Sequence, residues 1–359
     1  MKRRTKVNLV SYAVVTAKHV NQRGRRREFL SLPRRDPAQP LYWLVFEFIQ
    51  NELDRFETQL AAELRSSVDF IEAIGDDLVG AGGKRLRPSL AFLSGRLLGA
   101  TPEQAQRVAL AVELLHSASL LHDDLIDDAA TRRGADAAFR RYGNVVSVMS
   151  GDFMLARVLG ILARSKSPEF TQLMSETAAR ICEAEVLQFQ MATLETYALG
   201  NYFTIIDGKT AVLLAAACEG VALLAGVPEA ERRALSAFGM HYGRAFQMQD
   251  DYLDLLGDAA TLGKPIGGDL REGKATFAVL TLLVAGVEDA RTILRRHASA
   301  DGDTERMIAL VTQHGADRAA RGEIEREAAA AVRALEVFAD SDAKGALVSL
   351  ADEELARVR

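Results

Sequence analysis

The stretch from Thr101 to Asp128 reads TPEQAQRVALAVELLHSASLLHDDLIDD. Its opening is a helix start: Thr101 can cap, Pro102 suits the first helical position, and Gln104 completes a capping box, so the spacing predicts a helix from residue 102. The body that follows is built from Ala, Leu, Glu and Arg, all strong helix formers. The same composition runs from about Leu41 onward, for instance over Pro228 to Met248, and alternating β-branched runs are nearly absent. Breaks are expected at Gly80 to Gly83, Arg132 to Gly134, Ser165 to Pro168, Gly200-Asn201, Gly226 to Pro228, Gly257 to Gly268 and His297 to Asp303. Roughly ten helices result. No shift in composition marks a second domain and no repeat of solenoid period is present, so the fold class is all-α, with residues 41–359 as one large helical domain.

The 359 residues are 48% hydrophobic and 26% charged, enough apolar material for a core and too much for a disordered chain. The net charge of -5 is unevenly spread, because residues 1–35 hold eleven Lys or Arg against the single acid Glu28. That basic excess sits in one arm and leaves the body acidic, which argues against a nucleic-acid partner. The apolar part of the arm, Val7 to Ala17, is short and interrupted, so residues 1–40 read as a disordered extension rather than a signal peptide. The arm could at most favour an anionic membrane surface in peripheral contact. The longest apolar run elsewhere, Thr210 to Val227, carries Glu219 at its centre and does not read as a membrane span. Cys182 and Cys218 form no CxxC pair, and a reducing, cytoplasmic setting is expected.

The chemistry begins where the quoted helix ends, at His122-Asp-Asp-Leu-Ile-Asp-Asp128. Asp123 and Asp127 share a helical face with Asp124 beside them, at an end that is already the negative pole of the helix dipole. Such a cluster calls for a bound cation, and carboxylate oxygens suit a hard ion such as Mg2+. The pattern recurs at Asp250, Asp251 and Asp254, again after an apolar helix. Basic loops stand around both clusters: Gly83-Lys84-Arg85-Leu86-Arg87-Pro88, Arg132-Arg133-Gly134, Gly208-Lys209-Thr210, Gly263-Lys264-Pro265 and Gly273-Lys274. Each alone is a common surface turn. Beside two Asp clusters they read as recognition of a metal-bridged diphosphate.

These motifs, GGKRLRP, ELLHSASLLHDDLIDD, RRG, GKT, FQMQDDYLD, GKPIGGDL and GKAT, occur in the order seen in the trans-isoprenyl diphosphate synthases, and the chain resembles that family from Gly82 to Thr276. The resemblance implies a helical bundle around a deep central cavity, a homodimer, and an Mg2+-dependent prenyltransferase of the long-chain type. It implies Asp123, Asp127 and Asp250 as metal ligands, with Asp124, Asp251 and Asp254 beside them. Lys84, Arg87, His116 and Arg133 would hold isopentenyl diphosphate. Arg132, Lys209, Thr210, Gln247, Lys264 and Lys274 would hold an allylic diphosphate. In the family, bulky side chains just before the first Asp motif form a floor under short products; here those positions are Ala118 and Ser119, which implies a longer product.

Other readings fit less well. Gly208-Lys209-Thr210 lacks the earlier glycine of a phosphate-binding P-loop, since position 203 is Phe. Glu113-Leu-Leu-His116 lacks the second Glu-x-x-His of a di-iron bundle. A terpene cyclase would carry one Asp motif without GGKRLRP and RRG. A short-chain synthase, or a regulatory subunit of a heteromeric synthase, remains as the alternative. Two departures from the family pattern are the Phe277-Ala278 that follows Thr276 and the Ala184-Glu185 that precedes Gln188.

Overall fold

The computed structural model of the chain describes residue 45 and residues 47–80, 83–127, 131–132, 135–258 and 265–356. The basic arm therefore lies outside the described residues. The first half holds α1 (Gln50–Glu63), α2 (Asp69–Gly80), α3 (Leu86–Leu98), α4 (Pro102–Ile126), α5 (Ala138–Tyr142), α6 (Asn144–Ser165) and α7 (Pro168–Leu194). The second holds α8 (Leu199–Ile206), α9 (Val212–Ala225), α10 (Glu229–Leu256), α11 (Gly268–Arg271), α12 (Phe277–Val284), α13 (Glu288–Arg295), α14 (Asp303–Gln313), α15 (Ala316–Ala334) and α16 (Asp342–Ala356).

The fold class is all-α, as the sequence predicts. A two-rung ladder pairing Thr131–Arg132 with Ala135–Asp136 falls at the expected break around Arg132. The capping box of α4 forms as read: Thr101 Oγ1 accepts from the Gln104 N–H and Gln104 Oε1 accepts from the Thr101 N–H. One expected break is displaced. Gly200-Asn201 lies inside α8, and the chain breaks earlier because Glu195 turns left-handed at φ 50° and closes α7.

The described helices also exceed the ten expected, because glycines with positive φ at 267, 273, 286, 302 and 315 divide the C-terminal part into short helices.

At the centre stands α9, whose residues Val212 to Ala222 are all buried. It packs against α3, α4, α7 and α10, while α6 lies along α4 and α15 along α10. Glu219, the acid within this apolar run, pairs with Arg232 of α10. The run Leu199–Ala225 is long and apolar enough to cross a membrane, but 78% of its most apolar part is buried within the bundle. Asn144–Ser165, α6, meets the same length and composition test with only 39% buried.

Two apolar clusters share the longest helices. Leu235, Phe238 and Tyr242 of α10 join a first cluster with α1, α3, α4 and α9, whereas Met248, Tyr252 and Leu255 join a second with α12 to α15. Each fully buried Leu or Phe contributes about 1.5–3 kcal/mol, so two such clusters hold α10 along both of its halves.

The approach of α9 to α10 is set by glycine. A Cβ at Gly239 would lie 2.4 Å from Ala215 Cα, and one at Gly243 would lie 2.4 Å from Ala211 Cα. Main chain cannot yield as a side chain can. Gly243→Ala is therefore expected to lower the unfolding free energy by about 1–3 kcal/mol in urea titration, whereas Gly322→Ala, with open space around it in α15, is expected to raise it by roughly 0.5–1 kcal/mol.

Candidate active site

Both acidic motifs sit at the C-terminal ends of long helices. In α4, Asp124 is buried, Asp123 is half-buried and Asp127 caps the helix, its N–H bonded to the Asp123 carbonyl at 2.8 Å. The neighbouring His122 is wedged against α6: its Nε2 is 3.3 Å from the Val148 carbonyl, and a Cβ at Gly151 would lie 2.3 Å from that nitrogen. In α10, Asp250 and Asp251 are half-buried and Asp254 is buried.

Asp251 is held at both of its carboxylate oxygens. Its Oδ2 accepts from the Tyr202 hydroxyl at 2.8 Å and its Oδ1 from Gln247 Nε2 at 2.8 Å. Gln247 Oε1 in turn accepts from Thr210 Oγ1 at 2.6 Å. Asp254 serves the backbone instead. Its Oδ2 accepts from the Asp269 N–H at 2.9 Å and its carbonyl from the Gly267 N–H, which fixes the loop entering α11.

Lys209 lies in a single π-helical turn, Asp207–Ala211, inserted between α8 and α9. Its Nζ reaches Glu185 at 2.7 Å and Gln188 at 3.2 Å on α7. The extra residue of a π turn opens the helix locally and is common at functional sites. Arg244 braces this turn by a two-pronged pair to Asp207, at 2.6 and 2.7 Å, and also approaches Glu327 of α15, which bonds His241 at 2.7 Å.

A cavity of about 240 Å3 brings some of these groups together, while Asp123, Asp124, Asp250 and Asp254 are not among its lining residues. Asp127 of the first motif and Asp251 of the second both line it, together with Lys209, Gln247 and Lys274. Met191, Tyr197, Tyr202, Ile205 and Ile206 supply an apolar wall. Lys274 Nζ stands 3.5 Å from Asp127 Oδ2 and also bonds Glu272, so it ties the end of α4 to the second half of the chain.

The charges strain against one another. Burial, with further repulsion from Asp250 and Asp254, pushes the Asp251 carboxyl up to about 6 despite its two hydrogen bonds. Burial beside Asp251 and Asp254 pushes Asp269 up to about 8. Burial also works against the Lys274 ammonium, but Glu272, Asp127 and Asp269 outweigh it and hold Lys274 above its usual range.

Crowded carboxylates of this kind fit a divalent cation. Among the described residues, however, no three or more His, Cys, Asp or Glu side chains form a ready-made metal cage. An ion here would take one or two carboxylates and complete its shell with phosphate oxygens and water, the usual habit of Mg2+.

Other predicted residues lie outside this cavity. Lys84 is exposed before α3, Arg87 is half-buried in its first turn, and His116 is half-buried on α4. Thr210 is buried behind Gln247. Ala118 is 1% exposed within the first apolar cluster, and half-buried Ser119 donates to the His116 carbonyl at 2.9 Å. Arg133 and Lys264, and the side chain of Arg132, lie outside the described residues. Sequence reasoning missed Asp269, Tyr202, Glu185 and the Arg244–Asp207 brace. Of these, GGDL and Glu185 stood within quoted motifs, but their roles require knowing which loop meets which helix.

Comparison with known proteins agrees with this architecture. The family model described as polyprenyl synthetase matches residues 68–313. The octaprenyl diphosphate synthase of Haemophilus influenzae is 35% identical over 84% of this chain and 92% of its own length. An all-trans-nonaprenyl-diphosphate synthase of Rhodobacter capsulatus is 36% identical over 82% of this chain and 92% of its own. The crystal structure of a polyprenyl synthase from Caulobacter crescentus, complexed with calcium and isoprenyl diphosphate, superposes with a TM-score of 0.81 at 35% identity, covering 88% of this chain and 97% of that one. Two acidic helix ends converging on one lysine-bearing cavity, in a fold shared with these proteins, place the chain in the polyprenyl synthetase family, whose members are prenyltransferases.

Proposed function

We propose that this enzyme condenses isopentenyl diphosphate with an allylic diphosphate and repeats the step to a long-chain trans-polyprenyl diphosphate. The observation that carries the reading is the cavity shared by Asp127, Asp251, Lys209 and Lys274. Acids from two helix ends, with one lysine from a π turn and one from a loop, suit a metal-bridged diphosphate.

Asp123, Asp127 and Asp250 are the residues that would hold Mg2+, with Asp124, Asp251 and Asp254 behind them. When bound, the cation supplies positive charge against the leaving diphosphate. Lys209, Thr210, Gln247 and Lys274, with Arg132 and Lys264, bind and orient the allylic diphosphate. Lys209 and Lys274 neutralise the charge that grows as the allylic C–O bond breaks and its electron pair leaves with pyrophosphate. The double bond of isopentenyl diphosphate, held by Lys84, Arg87, His116 and Arg133, attacks the allylic carbon. Loss of a proton to the released pyrophosphate restores a double bond. Met191, Tyr197, Ile205 and Ile206 keep water from the allylic carbocation that this bond breaking leaves.

The family names of the relatives above support a long product, as do the small residues before the first Asp motif. Ser119 is one turn, about 6 Å by helical rise, below Asp123, which favours roughly C30 to C50. A homodimer is supported by α6, an apolar helix that leaves Val145, Met149 and Leu159 exposed, beside exposed Val186 and Phe189 of α7. The free thiols Cys182 and Cys218 support a cytoplasmic setting.

Asp123→Ala and Asp250→Ala are expected to cut turnover about a hundredfold or more with helicity preserved, measured by transfer of labelled isopentenyl diphosphate alongside circular dichroism; substantial activity in either, or in excess EDTA, would overturn the metal-bridged reading. Because no cage of protein ligands is preformed among the described residues, Mg2+ with inorganic pyrophosphate should raise the melting temperature by more than the two added separately, and additive shifts in calorimetry would contradict it. Ser119→Phe should shorten the products when they are resolved by chain length. Ala118→Phe is the poorer test, since it would overpack the core.

A further inference from the structure

GGKRLRP carries three cations, and the reaction above uses two of them. The third, Arg85, is buried to 8% side-chain exposure while Lys84 beside it is exposed. Its guanidinium forks onto Glu57 of α1, Nε to Oε1 at 2.6 Å and Nη2 to Oε2 at 3.0 Å. Its remaining arm, Nη1, reaches Glu113 Oε1 of α4 at 2.8 Å. Glu113 is itself buried and stands three residues before His116 on the same helix.

The backbone at this point is strained. Arg85 has φ 44°, a left-handed conformation that residues with a Cβ seldom adopt. Its carbonyl nevertheless receives the Ser89 N–H at 2.9 Å and the Ser89 hydroxyl at 2.8 Å, so the strained residue also starts α3. Even the buried part of this Arg–Glu–Glu cluster, the pair of Arg85 with Glu113, is a weak stabiliser, because apolar side chains of similar volume serve as well or better. What a guanidinium fork provides is fixed geometry. Here it fixes the loop carrying Lys84 and the first turn carrying Arg87 against the helix carrying His116.

We propose that Arg85 is a positioning residue for the isopentenyl diphosphate end of the reaction. It does not touch substrate; through Glu57 and Glu113 it sets the spacing of Lys84, Arg87 and His116 on which diphosphate recognition depends. The inference rests on the assignment of those three residues to isopentenyl diphosphate. A lysine at position 85 keeps the charge but cannot span both carboxylates, so charge alone does not substitute.

Initial rates of the full chain with Mg2+, each substrate varied while the other is saturating, test the inference in Arg85→Lys, Glu113→Gln, Glu57→Gln and Arg87→Ala. Arg85→Lys and Glu113→Gln are expected to raise the KM for isopentenyl diphosphate about tenfold and to leave the KM for the allylic substrate within about twofold. Glu57→Gln, at the more exposed edge of the cluster with 37% of its side chain accessible, should give a smaller rise with the same selectivity, and it serves where the buried variants fail to fold. If both KM values rise together, or if only kcat and the melting temperature fall, the role is structural and the proposal is overturned. Arg87→Ala separates the two levels of the argument. If it leaves the isopentenyl diphosphate KM unchanged, the site assignment fails. If it raises that KM while all three cluster variants leave it unchanged, the positioning role alone fails.

Discussion

Asp123, Asp124 and Asp127 close one helix and Asp250, Asp251 and Asp254 lie in the last turns of another, so three carboxylates crowd each helix end, where the dipole already presents its negative pole, and one from each set, Asp127 and Asp251, lines a shared cavity. Much of the surrounding structure answers that repulsion. Tyr202 and Gln247 donate to the Asp251 carboxylate, the main-chain N–H of Asp269 donates to that of Asp254, and Lys274 leans on Asp127. These contacts hold Asp127, Asp251 and Asp254 in place. On the function proposed above, the ligand that suits them brings cations and oxygens together, as a metal diphosphate does.

The rigidity needed for this comes from main chain packed directly on main chain. Gly239 and Gly243 let α10 approach α9 and the end of the π turn with no side chain between them. The distance between Thr210 and Gln247, and hence the aim of Gln247 at Asp251, follows from that approach. Arg244 then locks the turn from the other side through Asp207. Lys209 is thus placed by backbone contacts and one half-buried fork, with its ammonium held between Glu185 and Gln188.

What the residues alone disclosed was whatever depends on local chemistry. The start of α4 at Pro102 was readable because a cap acts within four residues, and both Asp motifs were readable because i and i+4 define a face on any helix. The expected break at Gly200-Asn201 failed because glycine permits a turn without requiring one, and the left-handed Glu195 had already supplied it. The π turn carries no composition signal, since it is created by where α7, α8 and α10 meet. Asp269 and Arg244 were hidden for the same reason: their partners lie 15 and 37 residues away along the chain.

The brace from α15 has a consequence for the order in which the molecule is made. Arg321 bonds the Tyr252 hydroxyl at 2.6 Å, and Glu327 bonds His241 and approaches Arg244. A growing chain emerges N-terminus first, so every acid and lysine of the site leaves the ribosome before the helix that steadies α10 from behind. Until that helix docks, the C-terminal half of α10 lacks part of its apolar cover, since Ala320 and Ile324 of α15 share a cluster with Met248, Tyr252 and Leu255. The nascent enzyme would carry all of its chemical groups and lack the geometry that makes them a site, and a diphosphate substrate would meet a competent pocket only after synthesis is complete.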